Sequence, residues 1–214
     1  MFRICLVLAF AVAVSSAGTV RAQDGHNNSV ALLTEASKHP ALSKADIETI
    51  YSLTDQHSVP VGPERFIGRF NLIFFGYTAC PDVCPTVMTH VTSVMEKLGP
   101  LARYVLPVFV TFDPMRDTAE VLAEYVSHFD ERILALTGTR SAIKVVQQRY
   151  GVLSIPGPKS EDGSYFISHT AAKYLIGPDG THVQSFSHEA PPEQIAGYLK
   201  NIFSRLGKWR SACP

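Results

Sequence analysis

The sequence predicts a three-layer α/β domain, and three observations carry that prediction. Phe70 to Tyr77, Val105 to Phe112 and Ile133 to Leu136 are nearly unbroken apolar runs, the pattern of strands buried on both faces. Amphipathic stripes at helical spacing lie between and after them. Two further strand-like segments, Lys173 to Ile176 and Thr181 to Phe186, flank the turn sequence Gly177-Pro178-Asp179-Gly180 and are followed by a last helical stripe. Strands alternating with helices place helices on both sides of a sheet.

Each element has a local reason. Pro107 removes a ladder donor from the second apolar run, which predicts a sheet edge or a bulge there. Val87, Met88, Val91, Val94, Met95 and Leu98 form the first helical stripe, which stops at Gly99-Pro100. Leu122, Tyr125, Val126 and Phe129 form the second, opened by Asp117, whose spacing to Glu120 resembles a capping box. Ser141 to Tyr150 makes a third helix, ended by Gly151. Ile195, Tyr198, Leu199, Ile202, Phe203 and Leu206 make the last, entered through Pro191-Pro192 and stopped by Gly207, with Trp209 placed to pack it against the domain.

Composition narrows the function classes. The chain has 214 residues, 46% hydrophobic and 18% charged, which suits one folded domain with an extension and excludes disorder as its main state. Nineteen basic residues balance nineteen acidic ones without a basic run, so a nucleic-acid partner is not expected. Arg3, the apolar run Ile4 to Val14 and the small residues ending at Ala17 or Ala22 form a secretory signal, with cleavage expected after Ala22. The run is shorter than the ~20 residues of a spanning helix, although a retained segment would leave the chain tethered. Cys5 lies inside that run, not at its end, so no lipoprotein signal is present. The domain plan is a signal at residues 1–22, a polar extension at 23–49, a folded domain at 50–208 and a tail at 209–214.

Among four cysteines, Cys5 belongs to the signal and Cys213 to the tail, where an incidental thiol or an intermolecular bridge are the two readings. Cys80 and Cys84 remain, in Cys80-Pro81-Asp82-Val83-Cys84-Pro85, directly after the first buried strand. A disulfide across so short a loop would hardly constrain the unfolded chain, so a chemical role is favoured over a structural staple. Pro85 fits only the first turn of a helix, which places Cys84 in that turn and Cys80 in the loop before it. The positive end of the helix favours an anionic sulfur there. Two thiolates can close on one soft ion or oxidise to each other; soft sulfur ligands favour Cu(I), and imidazole adds affinity for Cu(II). His169, just before the hairpin, is the best-placed third ligand; His90, on the helix that the cysteines open, is the reserve, and the other histidines read as ordinary surface or core residues. Asp113, Arg116 and Asp117 read as turn and capping residues.

Phe75-Gly-Tyr-Thr-Ala-Cys-Pro-Asp-Val-Cys-Pro resembles the signature of the Sco/SenC family of copper proteins. Asp113-Pro114-Met115-Arg116-Asp117-Thr118 resembles that family's second block, and Ser168-His169-Thr170 with Tyr174 to Gly180 its third. Leu53-Thr54-Asp55-Gln56-His57 resembles its first hairpin, so the likeness runs from about Tyr51 to Leu206. The resemblance implies a thioredoxin-like fold, with a central mixed sheet, flanking helices and an N-terminal hairpin. It implies one copper ion per chain, as Cu(I) or Cu(II), held by Cys80, Cys84 and His169. It also implies delivery of copper to the dinuclear site of cytochrome c oxidase subunit II or another copper-accepting protein, with an upstream copper donor or a thiol reductase as further partners, in an exported compartment such as the bacterial periplasm. Two positions depart from the family pattern: Ser168 stands where an Asp is usual, and Ala79 where His or another polar residue is common. Losing a carboxylate beside the histidine would weaken its supporting contacts or alter docking.

Two function classes follow. One is a metallochaperone that exchanges ligands and performs no turnover. The other is a thiol–disulfide oxidoreductase in which Cys80 attacks and Cys84 resolves. The three-residue spacing and His169 favour the first; a peroxiredoxin is more remote, because Thr78-Ala79-Cys80 is one residue short of Thr-x-x-Cys.

Overall fold

The computed structural model describes residues 42–81, 83–161, 163–170 and 172–212, with side chains through residue 206. The expected signal, Cys213 and the side chain of Trp209 lie outside the described residues.

Packing begins ahead of residue 50. Helix α1 (Lys44–Glu48) is capped reciprocally: Ser43 Oγ accepts the Asp46 N–H, and the Asp46 carboxylate accepts the Ser43 N–H. That cap orients Ile47 and Ile50 into the core together with Leu42. Strand β1 (Thr54–Asp55) starts the expected N-terminal hairpin, which is short. Asp55 carries its turn, accepting the N–H groups of His57 and Val59, and the return arm makes a single bridge, Thr54 to Pro60.

The central sheet contains β2 (Phe70–Gly76), β3 (Val105–Thr111), β4 (Leu134–Thr137), β7 (Ala172–Ile176) and β8 (His182–Ser187) besides β1, in the order β1-β4-β3-β2-β7-β8. β2, β3 and β4 are parallel, and the other pairings are antiparallel. Alternation along β2 explains why its run is almost wholly apolar, with Asn71 the polar exception. Phe70, Leu72 and Phe74 enter the core beneath α2 (Val83–Leu98), α3 (Ala119–Val126) and α5 (Pro192–Ala212). Ile73, Phe75 and Tyr77 enter the opposite core, beneath α1 and α4 (Arg140–Arg149).

Three expectations are corrected by the packing. β3 is an interior strand, yet Val105 to Pro107 pair only with β2, because pairing with β4 begins at Val108. Pro107 therefore sits where β3 is locally an edge, and its missing donor leaves no β4 acceptor unpaired. Helix α3 is capped by Thr118, whose hydroxyl accepts the Val121 N–H, and not by Asp117, which is fully buried. Helix α5 continues through Gly207 to Ala212, so that glycine does not stop it. An isolated glycine lowers helix stability without breaking the hydrogen-bond ladder. Gly151, by contrast, ends α4 as expected, with φ +64° just beyond its last turn.

Lys173 is an unforeseen buried charge. It lies on β7 between Phe74 and Phe186, and its ammonium donates to the carbonyls of Ser187 and His188. Burial lowers its pKa from 10.5 to about 8. The unfolded chain then binds more protons than the folded one between those values, so this group adds stability as pH rises through 8. Relative to Lys173→Met, the wild-type unfolding free energy should rise by about 1 kcal/mol from pH 7 to 9 in urea titrations. Parallel pH profiles for the two proteins would refute that assignment.

Candidate metal centre

The parallel strands bring the chemistry to the carboxyl edge of the sheet, on the α4 side. Tyr77 ends β2, the loop through Pro81 follows, and α2 opens at Val83, so that Cys84 is its second residue as the Pro85 argument expects. Cys80 and Cys84 are 9% and 3% exposed, are not joined by a disulfide, and hydrogen-bond to each other through their side chains. Gly76 makes room for them. A Cβ there would stand 3.0 Å from Cys84 Sγ and 2.7 Å from the Phe109 ring, so only glycine lets the helix start approach β2 so closely.

Burial decides the charge of this pair. Desolvation pushes the Cys84 thiol well above its ordinary value; the nearby Cys80 thiol adds to this, and the Tyr77 backbone amide only partly offsets it. The anionic sulfur expected from the helix end is therefore replaced by a protonated one. The helix end is worth a fraction of a kcal/mol to about 2 kcal/mol, whereas burying an uncompensated anion costs several.

Asp117 holds the cysteine loop. Its carboxylate accepts the Thr78 N–H at 3.1 Å, the Thr78 hydroxyl at 2.6 Å and the Thr111 hydroxyl, tying the loop to the end of β3. Burial raises its pKa, while these donors lower it. The sequence signal for this role was an Asp in the block after β3; its partners lie 39 and 6 residues away, beyond any local pattern.

His169 stands on a two-stranded ribbon, not a loop: β5 (Ser154–Pro156) pairs with β6 (Ile167–His169). The Tyr77 hydroxyl anchors this ribbon, accepting the Ile167 N–H at 3.1 Å while also bonding Cys80. The His169 ring packs 4.5 Å from the Phe112 ring and edge-on to Tyr77 at 6.2 Å. Its Nδ1 lies 3.2 Å from the Thr170 carbonyl, which can only accept, so Nδ1 carries the proton and Nε2 keeps its lone pair. Burial also lowers the His169 pKa, keeping the ring neutral at pH 7.

The structure thus brings Cys80 and Cys84 together and sets His169 on the adjoining wall. Among the described residues no three His, Cys, Asp or Glu side chains stand close enough to hold an ion without movement. His90 is half-buried on α2 with its Nδ1 unpaired, and it acts electrostatically on Glu193 of α5. Ser168 and Ala79, the two departures, are both exposed. The donor set fits a soft ion: two adjacent sulfurs and a neutral imidazole with an available Nε2.

Asp113, read as a turn residue, does more. It accepts the Tyr165 hydroxyl at 2.9 and 2.8 Å and pairs with Arg116, whose guanidinium lies 3.7 Å from the Tyr165 ring and donates to the Tyr165 carbonyl. That cluster fastens the segment leading into β6.

Fold and site together define a thioredoxin-like protein with a C-x-x-x-C dithiol at the opening of a sheet-covering helix. The sequence model of the SCO1/SenC family matches residues 39–204, and the chain belongs to that family. It is 38% identical over 167 residues to the mitochondrial SCO1 homolog of Mus musculus, covering 77% of this chain and 59% of that one, so it spans about three fifths of that relative's length. It is 35% identical over 151 residues to a SCO2-like protein of Rickettsia felis, covering 70% of this chain and 74% of that one. Among solved structures, it resembles Bradyrhizobium japonicum ScoI with copper bound, at TM-score 0.65 and 38% identity over 71% of this chain and 96% of that one.

Proposed function

We propose that this chain is a copper metallochaperone that binds one ion through Cys80, Cys84 and His169 and passes it to a copper-accepting protein, cytochrome c oxidase subunit II being the expected acceptor. The observation that carries this reading is the pairing of two adjacent buried thiols with a neutral imidazole whose Nε2 is available. A similar solved protein, ScoI of Bradyrhizobium japonicum, has copper bound. The amino-terminal segment is read as an export signal to the periplasm; among the described residues no helix is long and apolar enough to cross a membrane.

Loading displaces the two thiol protons to solvent as two sulfur–copper bonds form. Release reverses this: the acceptor's ligands replace the sulfurs, and Cys80 and Cys84 take protons back. His169 exchanges no proton near neutral pH, because its Nε2 already bears a lone pair. Burial of both sulfurs favours ligation of a small ion over attack on a partner's disulfide, for which an exposed sulfur is needed.

Titration of the reduced protein with Cu(I) should reach one ion per chain. His169→Ala should retain Cu(I) binding and lose the Cu(II) site, read by its absorption spectrum. An unchanged Cu(II) spectrum in that variant would remove His169 from the ligand set. Loading at pH 7 should also release about two protons per Cu(I), so that affinity rises roughly 100-fold per pH unit while both thiols are protonated. Release of fewer than one proton, measured with an indicator dye in weak buffer, would show that the pair is already ionised.

A further inference from the structure

A groove of about 760 Å³ runs beside the candidate site, between the loop after β3, the start of α4 and the segment entering β6. It reaches the site directly, since Phe112 lines the groove and packs against the His169 ring. Its charge is one-sided. Arg116, Arg140, Lys144 and Lys159 line it, against Asp113 as the one carboxylate among the described lining residues. Asp113 is already engaged by Arg116 and the Tyr165 hydroxyl. Arg140, Lys144 and Lys159 are exposed, and none of them forms an ion pair among the described residues. Apolar surface accompanies the charge: Met115 lines the groove at 64% exposure, and Phe166, which follows the lining residue Tyr165 in the chain, is 63% exposed. The Asp113–Arg116–Tyr165 cluster holds one wall in place before any partner arrives, which lowers the ordering cost of binding.

We infer that this groove docks an acidic, extended segment of the protein that exchanges copper with this chain, an inference that rests on the metallochaperone reading. Three cations that form no ion pair among the described residues steer a segment of Asp and Glu residues and repel a basic one. Met115 supplies apolar contact, and the seated segment lies against Phe112, one ring from His169.

The test uses the reduced, copper-free protein labelled with ¹⁵N, so it does not depend on metal. A short blocked peptide rich in Asp and Glu, with one Leu, is titrated at low ionic strength. Shifts should concentrate at Met115, Arg140, Lys144 and Lys159 and disappear as salt is raised. In Arg140→Glu/Lys144→Glu, both exposed positions, affinity should fall about tenfold or more. The amide spectrum of that variant reports its folding, and Lys159→Glu serves if it is misfolded. No response, shifts centred elsewhere, unchanged affinity in the variants, or an equal response to inorganic phosphate would each overturn the inference. Cu(I) titration of the same samples reads the metallochaperone proposal separately: wild type and variants should load equally.

Discussion

Cys80→Ser and Cys84→Ser should each lower Cu(I) affinity by about a thousandfold or more, which is ~4 kcal/mol. A hydroxyl replaces a soft sulfur donor in each, and at neutral pH it does not ionise. The substitutions are nearly isosteric at positions 9% and 3% exposed, so the fold persists and the loss is one of ligation. Competition with a Cu(I) chelator of known affinity measures it. Either variant retaining affinity within tenfold of wild type would eliminate that cysteine as a ligand and, with it, the dithiol as the copper site.

Asp117→Ala should destabilise the fold by about 3–4 kcal/mol and lower the melting temperature by roughly 10 °C. Three donors lose their acceptor: the Thr78 amide, the Thr78 hydroxyl and the Thr111 hydroxyl. Thr111 is fully buried and Thr78 half-buried, so the lost bonds leave donors with little or no water to replace the carboxylate. Copper affinity falls with stability, because Thr78 precedes Cys80 by two residues and the loop between them loses its anchor. A capping role alone predicts only ~1 kcal/mol, the cost expected of Thr118→Ala at the observed cap. Urea unfolding of the two variants separates the readings, and equal losses would return Asp117 to the capping role that its spacing suggests.

The parts legible in the sequence were those encoded within a few residues. The nearly continuous apolar run Phe70 to Tyr77 needs no partner to be read as a two-sided strand, and alternate residues do enter two different cores. Pro85 restricts the helix start so narrowly that Cys84 falls in the first turn. The α3 cap was misplaced by one residue because Asp117 and Thr118 are both good caps by type. The β5–β6 ribbon was missed because its strands are three residues each, one of them ends at Pro156, and both give weak alternation. His169 is singled out by its place just before the β7–β8 hairpin, whereas its position on that ribbon is not legible in the sequence.

Sequence alone determined the order of the long strands and helices, the dithiol at the corner and the near-neutral charge balance. The tertiary structure decided what those residues experience. It set the protonation of Cys84, the tautomer of His169, the anchoring of the cysteine loop by Asp117 and the gathering of Arg140, Lys144 and Lys159 around one groove. The physical reason is range. Backbone restriction and hydrophobic period act between neighbours in the chain, whereas desolvation and buried hydrogen bonds depend on which distant segments meet, as when the Tyr77 hydroxyl takes the amide of Ile167, 90 residues on.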